Sequence, residues 1–306
     1  MKFVPQLGLE RDDEMIKHVV GKQQKVRVEQ TPDIVYKYFK NHKGTLTPLR
    51  MSLLVPQSTE KKPALIYYPG GGYTEANFRK YIQIKLALAE KGFVVASAEY
   101  RVIPETFKGA MLDAKEAIAY LRENADLYHI DVNRIGVFGQ SAGGYMAQMM
   151  GVTSNTPYFL PDNLSMEDVR VSAVFSMFGV SNLLTVGKNL DIQAHDWPTS
   201  PEAVWINGFS FKENTNISVQ DEPEKALAAS PIHYVQSGLP PFLMMHGDQD
   251  KLVSPSETDD MVQVLKNNDI DVDQVIVEGA AHGTVEWIQP EVVKIITDWF
   301  SSKLQV

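Results

Sequence analysis

Ser141 stands in the run Gly139-Gln140-Ser141-Ala142-Gly143-Gly144, after the apolar run Ile135-Gly136-Val137-Phe138 and before a helical pattern. A serine flanked by glycines two residues to either side, at a strand-to-helix junction, matches a nucleophile elbow. So sharp a turn strains the serine's backbone, and the flanking residues must be small to clear the adjacent chain. The turn lifts the hydroxyl above the sheet edge. It also aims the Ala142 amide at the place where an oxyanion develops during acyl transfer. The plain alternative is a glycine-rich helix start.

Three further segments carry chemistry. Pro69-Gly70-Gly71-Gly72-Tyr73 follows the apolar run ending at Tyr68. Consecutive glycines free backbone N–H groups to point at a developing oxyanion, and losing one such donor costs about 3–4 kcal/mol of transition-state stabilisation. A phosphate-cradling reading fails, because no Gly-Lys-Ser/Thr ending or G-x-G-x-x-G spacing is present; a flexible turn is the bland reading. His246-Gly247-Asp248-Gln249-Asp250 follows the run Phe242 to Met245. Asp250 on this loop suits an acid that orients a histidine and stabilises its imidazolium; Asp248 is the rival, with bracing of the turn as its other role. Gly279-Ala280-Ala281-His282-Gly283 follows the run through Val277 and puts His282 downstream of both acids. The order Ser141, Asp250, His282 is that of a Ser…Asp…His hydrolase. His18, His42, His129, His195 and His233 lack such a context, and His246 reads as packing at a strand end. No H-E-x-x-H or other metal spacing occurs, so no metal or cofactor is expected.

Every one of these loops has to be held by a strand before it. Ala64–Tyr68, Phe93–Ala96, Ile135–Phe138, Ala173–Met177, Phe242–Met245 and Val275–Val277 are short apolar runs. Between them lie helical patterns at about 78–91, 109–124, 142–150, 255–267 and 290–300, the second keeping a 3.6-residue period through Ala110, Met111, Ala114, Ala117, Ile118 and Leu121. Apolar strands alternating with amphipathic helices predict an α/β fold, a mostly parallel sheet covered on both faces. Segments 34–39 and 49–55 predict a hairpin at one sheet edge. The single expected domain spans 1–306, with weak periodicity at about 180–239 reading either as a lid-like insertion or as peripheral helices. Aromatic residues in or near these loops are candidate substrate contacts: Tyr73, Trp197, Trp205, Phe209 and Trp287, with Gln140 beside the serine; ordinary packing is the competing role.

The bulk numbers set bounds on partners. The chain has 306 residues, 44% hydrophobic and 22% charged, with net charge −9. Such an acidic surface repels phosphate backbones and anionic membranes, and no basic run offsets it. There is no cysteine, which excludes disulfides and a thiolate nucleophile and fits a reducing compartment. The first residues lack the apolar core of a signal peptide, and no apolar stretch approaches the ~20 residues of a membrane span. A soluble, cytoplasmic protein is expected, acting on a small molecule without nucleic acid or membrane; a homodimer is left open.

The sequence resembles bacterial α/β-hydrolase esterases of the hormone-sensitive-lipase and feruloyl/acetylxylan-esterase-like branches over about 45–300. Beyond the motifs above, the resemblance rests on Ala98-Glu99-Tyr100-Arg101 with Pro104, Asp113, Tyr120 to Asn124, Asp131 to Gly136 and Ser230-Pro231-Ile232. It implies a triad of Ser141, Asp250 and His282, oxyanion amides from Gly71, Gly72 and Ala142, and ester hydrolysis through an acyl-enzyme. Many relatives carry a histidine before the three glycines where this chain has Pro69; some acetylesterase-like members resemble the Pro-Gly-Gly-Gly-Tyr form. The activity expected is hydrolysis of short acyl or small aromatic esters, acetylated carbohydrates among them. An arylformamidase, a prolyl-oligopeptidase-type peptidase and a binding protein on the same fold are the rivals. No propeller-like domain accompanies the chain to gate peptides, and a binding-only relative usually lacks the histidine or the acid.

Overall fold

The run Lys62–Tyr68 is apolar at successive positions, yet successive side chains of a strand point to opposite faces. Both faces must therefore be covered. Ala64, Ile66 and Tyr68 enter one core, and Leu65 and Tyr67 enter the other. A sheet sandwiched between two helix layers is the solution the computed structural model shows; it describes residues 26–190, 194–208 and 217–306.

In chain order the elements are β1 (Val28–Lys40), β2 (Leu46–Pro56), β3 (Lys62–Tyr68), α1 (Ile82–Glu90), β4 (Val94–Ala98), α2 (Phe107–Glu123), β5 (Ile130–Gln140) and α3 (Ala142–Val152). Then come α4 (Met166–Val169), β6 (Ala173–Met177), α5 (Pro201–Asn207), α6 (Pro223–Ala228), β7 (Phe242–Gly247), α7 (Ser256–Asn267), β8 (Val272–Val277) and α8 (Pro290–Leu304). The eight strands lie in the order β1-β2-β4-β3-β5-β6-β7-β8. The β1–β2 hairpin and the β2–β4 pair are antiparallel, and every pair from β4 to β8 is parallel. The expected edge hairpin and parallel sheet are both present. This is the α/β-hydrolase fold.

Residues of α2, α3 and α7 fill the core on one face, with Met111, Ile118, Met146, Met150, Met261 and Leu265 buried. On the other face Ile84 and Leu88 of α1 meet Ile296 and Phe300 of α8. Most of the α/β alternation falls where the periodicity places it. One helix starts late. The expected helix from about 78 begins at Ile82, because Tyr81 adopts φ 54 and ψ 39. A left-handed residue cannot continue a right-handed helix, so residues 73–81 stay a loop beside the glycine run.

The stretch between β6 and β7 packs into the sheet's α2/α3 face. Val180, Leu183, Val186, Ala203, Trp205, Ile206, Val219, Ala226 and Ala229 are buried there. Glu257 of α7 pins its start, accepting from the amides of Ser181 (2.8 Å) and Asn182 (2.7 Å) and the hydroxyl of Thr185 (2.6 Å). Burial pushes the Glu257 carboxyl above its usual range, against the pull of those donors. No described helix is long and apolar enough to cross a membrane.

Candidate active site

β5 delivers Ser141 to the carboxyl edge of the sheet, where sites form in parallel α/β architectures. Its backbone takes φ 54 and ψ −125, an angle pair that costs a side-chain-bearing residue about 1–3 kcal/mol and persists only when the surroundings enforce it. The enforcement is close approach. A Cβ at Gly143 would lie 2.0 Å from the Tyr68 carbonyl oxygen, and one at Gly139 would lie 2.3 Å from the Gly143 oxygen. Only glycine lets the elbow press this closely against β3. The Ser141 amide is spent on the Met177 carbonyl at 2.9 Å, locking the turn to β6. Ala142 opens α3, so its amide has no intrahelical partner and is free to serve a ligand.

β7 and β8 end beside it and carry the other two groups. His282 Nε2 is 2.9 Å from Ser141 Oγ, and His282 Nδ1 is 2.7 Å from Asp250 Oδ2. A carboxylate only accepts, so Nδ1 carries the proton and Nε2 is left to accept from the serine hydroxyl. The second carboxylate oxygen of Asp250 accepts from the amides of Leu252 (2.9 Å) and Val253 (3.0 Å). His246 completes the cage. Its Nε2 faces Asp250 Oδ2 at 3.3 Å and the Val253 carbonyl at 3.1 Å, while Thr258 reaches Nδ1 at 2.8 Å. Burial alone would raise the Asp250 pKa. Hydrogen bonds from His246 and His282, the His282 charge and the Leu252 amide overcome it and hold the acid far below the usual carboxylate range.

Asp248 does something else. Its Oδ1 accepts from the Gly279 amide at 2.7 Å, tying the β7 loop to the loop after β8. The Gln249 amide adds a bond to the Ala280 carbonyl at 3.0 Å. The His282 loop is backed by Trp287, whose Nε1–H donates to the Ala281 carbonyl at 2.9 Å. Phe178 stands between them, its ring centroid 4.6 Å from both His282 and Trp287.

Around Ser141 lies a cleft of about 390 Å³, lined by Gly70, Gly71 and Gly72, Lys80, Tyr81, Gln140, Phe178, Leu252, His282 and Gly283. The glycine run after β3 thus faces the serine. Among the described residues, only Gln140 of the six candidate substrate contacts lines this cleft, and its Oε1 is already taken by the Tyr67 hydroxyl at 2.7 Å. Tyr73 and Trp205 are corrections. They are buried in the core, stacked on each other at 4.8 Å, with Tyr145 edge-on to Tyr73 at 5.5 Å. Their apolar area is worth more inside the α2/α3 core than in a wet cleft. Trp197 is 58% exposed and also lies outside the lining. Trp287 is a buried support, and Phe209 lies outside the described residues. Tyr81, Lys80, Phe178 and Leu252 went unseen in sequence. Phe178 and Leu252 sit just past strand ends at the carboxyl edge, which is a usable signal; Tyr81 and Lys80 belong to a loop whose course no local pattern gives. Among the described residues no group of three or more His, Asp or Glu side chains is placed to hold a metal ion.

Comparison with known proteins places this geometry in context. Residues 51–265 match the BD-FAE family model. Esterase LipC of Mycobacterium tuberculosis is 31% identical over 232 residues, covering 74% of this chain and 54% of LipC. The isoprenylcysteine alpha-carbonyl methylesterase ICME of Arabidopsis thaliana is 23% identical over 235 residues, covering 76% of this chain and 53% of its own. The chain therefore spans about half the length of these curated relatives. Among solved structures, a truncated carbohydrate esterase from gut microbiota superposes with TM-score 0.76 at 23% identity, covering 91% of this chain and 97% of that one. An acetyl ester-xyloside bifunctional hydrolase from Caldicellulosiruptor lactoaceticus gives 0.69 at 23% identity, covering 88% and 95%. With a matched model spanning the sheet from β2 to α7, and the same α/β-hydrolase fold in its structural neighbours, the chain belongs to the BD-FAE family.

Proposed function

We propose that the protein is a serine carboxylesterase acting on short-chain acyl or small aromatic esters, acetylated carbohydrates among them. One observation carries the reading: an unbroken chain of hydrogen bonds, 2.9 and 2.7 Å long, runs from Ser141 through His282 to Asp250 beside the glycine run. His282 takes the Ser141 proton as Oγ attacks the ester carbonyl. Asp250 holds the imidazole in the Nδ1–H tautomer and stabilises the imidazolium. Amides of Gly71, Gly72 and Ala142 are the donors for the oxyanion. His282 then protonates the departing alkoxide, leaving an acyl-Ser141 ester; water, activated by the same histidine, releases the acid and restores the serine. The chemistry is complete with these side chains and backbone amides, without a metal or cofactor.

Relatives named as esterases support the ester class, and the two carbohydrate-ester neighbours support acetylated sugars within it. A cleft of about 390 Å³ lies at the small end of ligand sites and suits a short acyl group. A chain with net charge −9 and no cysteine fits work in the cytoplasm on neutral esters. The test is hydrolysis of p-nitrophenyl esters from acetate to octanoate by wild type and Ser141→Ala. Turnover that peaks at short chains and vanishes in the variant is expected. Equal turnover by both proteins would remove Ser141 as nucleophile, and no turnover by folded wild type would move the activity to formamide or peptide bonds or to binding alone.

A further inference from the structure

Successive carbonyls along the glycine run each accept from a different donor. The buried Tyr100 hydroxyl reaches the Pro69 carbonyl at 2.6 Å. The Lys80 ammonium reaches the Gly70 carbonyl at 3.1 Å. The Gly71 carbonyl takes the amides of Thr74 (3.0 Å) and Glu75 (3.3 Å) and the Thr74 hydroxyl (2.9 Å). We propose that Lys80 is a positioning residue of the oxyanion hole: through the Gly70 carbonyl it aims and polarises the Gly71 amide. This rests on the serine-esterase reading above and deepens it.

The reason is the planarity of the peptide unit. Across a trans bond the C=O of one residue and the N–H of the next point in opposite directions. Holding the Gly70 oxygen therefore sets the direction of the Gly71 N–H, and holding the Gly71 oxygen sets that of the Gly72 N–H. Glycine has the widest choice of backbone angles, so an unheld run would sample many orientations of these donors. Close packing fixes the run at Gly70, where a Cβ would lie 2.4 Å from the Gln140 carbonyl oxygen and 3.0 Å from Ser141 Cβ. The turn through Glu75 fixes the Gly71 carbonyl. At Gly72 the chain enters the left-handed region, φ +56, and a Cβ would meet nothing within 4 Å. The peptide that joins Gly70 to Gly71 lies between these anchors, and Lys80 is the donor on it.

Lys80 suits the role in charge and in place. A cation on the Gly70 oxygen draws electron density out of the peptide and makes the Gly71 N–H a stronger donor. The same ammonium pairs with Glu75 Oε2 at 3.0 Å. Glu75 belongs to the turn that holds the Gly71 carbonyl, so one ion pair ties the two peptide units together. The Lys80 side chain is 35% exposed, so shortening its reach opens no hole in the core.

The experiment measures kcat/KM for p-nitrophenyl acetate and for its thiono analogue, in which sulfur replaces the carbonyl oxygen. Wild type, Lys80→Met, Lys80→Arg and Glu75→Gln are compared. Sulfur accepts hydrogen bonds poorly, so the ratio of oxygen ester to thiono ester reads the oxyanion donors themselves. That ratio is independent of the folded fraction, so a partly misfolded variant cannot imitate the effect. In Lys80→Met the oxygen-ester value is expected to fall about 10–100-fold, less than for a donor removed outright, and the ratio about tenfold. Lys80→Arg keeps the charge and its donors and should bring the ratio back to within about threefold of wild type. Glu75→Gln still accepts from Lys80 and should leave the ratio within about twofold. An unmoved ratio in Lys80→Met makes Lys80 a structural or substrate-contact residue and overturns the proposal. A fall as deep in Lys80→Arg or in Glu75→Gln overturns it too. Wild type as inactive as Ser141→Ala on every ester would instead sink the esterase reading.

Discussion

Replacing Asp250 by asparagine changes a single atom group, and the surrounding donors determine how the triad responds. Oδ1 accepts from the amides of Leu252 and Val253 at 2.9 and 3.0 Å, and Oδ2 faces His282 Nδ1 at 2.7 Å and His246 Nε2 at 3.3 Å. An asparagine has one accepting oxygen. Turning its –NH2 toward the two backbone amides would leave both donors buried and unsatisfied, at about 1–3 kcal/mol each. The oxygen therefore stays on the amide side, and –NH2 takes the place of Oδ2. It can only donate, so His282 Nδ1 must become an acceptor and the ring proton moves to Nε2. That nitrogen now points a proton at Ser141 and cannot take one. The backbone geometry survives while general-base function does not. We expect kcat to fall about 10³–10⁴-fold, equivalent to about 4–5.5 kcal/mol in the barrier, with an unchanged circular dichroism spectrum. Asp248→Asn is the internal control. Its oxygen still accepts from the Gly279 amide, so turnover should stay within about threefold of wild type. Steady-state hydrolysis of p-nitrophenyl acetate reads both. An Asp250→Asn protein within about tenfold of wild type, or a larger loss in Asp248→Asn, refutes the tautomer argument.

Asp250 also couples folding to pH. Its folded-state pKa is depressed, so the unfolded chain binds more protons as pH falls below the unfolded value of about 3.9. The stability it adds is complete above about pH 4 and is lost below; Asp250→Asn should flatten the fall of Tm with pH in that acid window. Gly143→Ala drives a Cβ against the Tyr68 carbonyl oxygen of the central strand β3, and we expect a loss at or above the top of the ~1–3 kcal/mol overpacking range in urea denaturation. A midpoint equal to wild type would mean that the elbow can shift away from β3. Trp205→Ala empties core volume shared with Tyr73 and Tyr145 and should cost about 3–5 kcal/mol by thermal or urea unfolding. A variant with unchanged stability but a raised KM would return Trp205 to the substrate.

Much of the fold was legible because its local and tertiary requirements coincide. A strand buried on both faces has to be apolar throughout, so Ala64–Tyr68 and Phe242–Met245 announce a covered parallel sheet. Ser141 was legible because the elbow's steric demands fall on residues two positions away, where only glycine fits. Its pairing with Asp250 and His282 could be anticipated from order along the chain, since the ends of adjacent parallel strands meet at one edge. Order along the chain does not separate Asp248 from Asp250, which lie on the same loop; the resemblance implies Asp250, and the directions of the two side chains bring that one to His282.

Tertiary structure alone decided which aromatic residues face the cleft. Tyr73 and Trp205 carry the composition of a binding site, but composition has no direction, and a large ring stabilises most where it is fully buried. Tyr81 carries no motif, yet this one left-handed residue delays the start of α1 and lays the loop before it beside His282. The sequence by itself determined the sheet, the elbow and the order of the three reacting groups, because those depend on spacing and on steric limits within a few residues. The walls of the cleft were decided only by the packed molecule, because they bring together loops far apart in the chain, and so was the side-chain direction that brings Asp250 rather than Asp248 to His282.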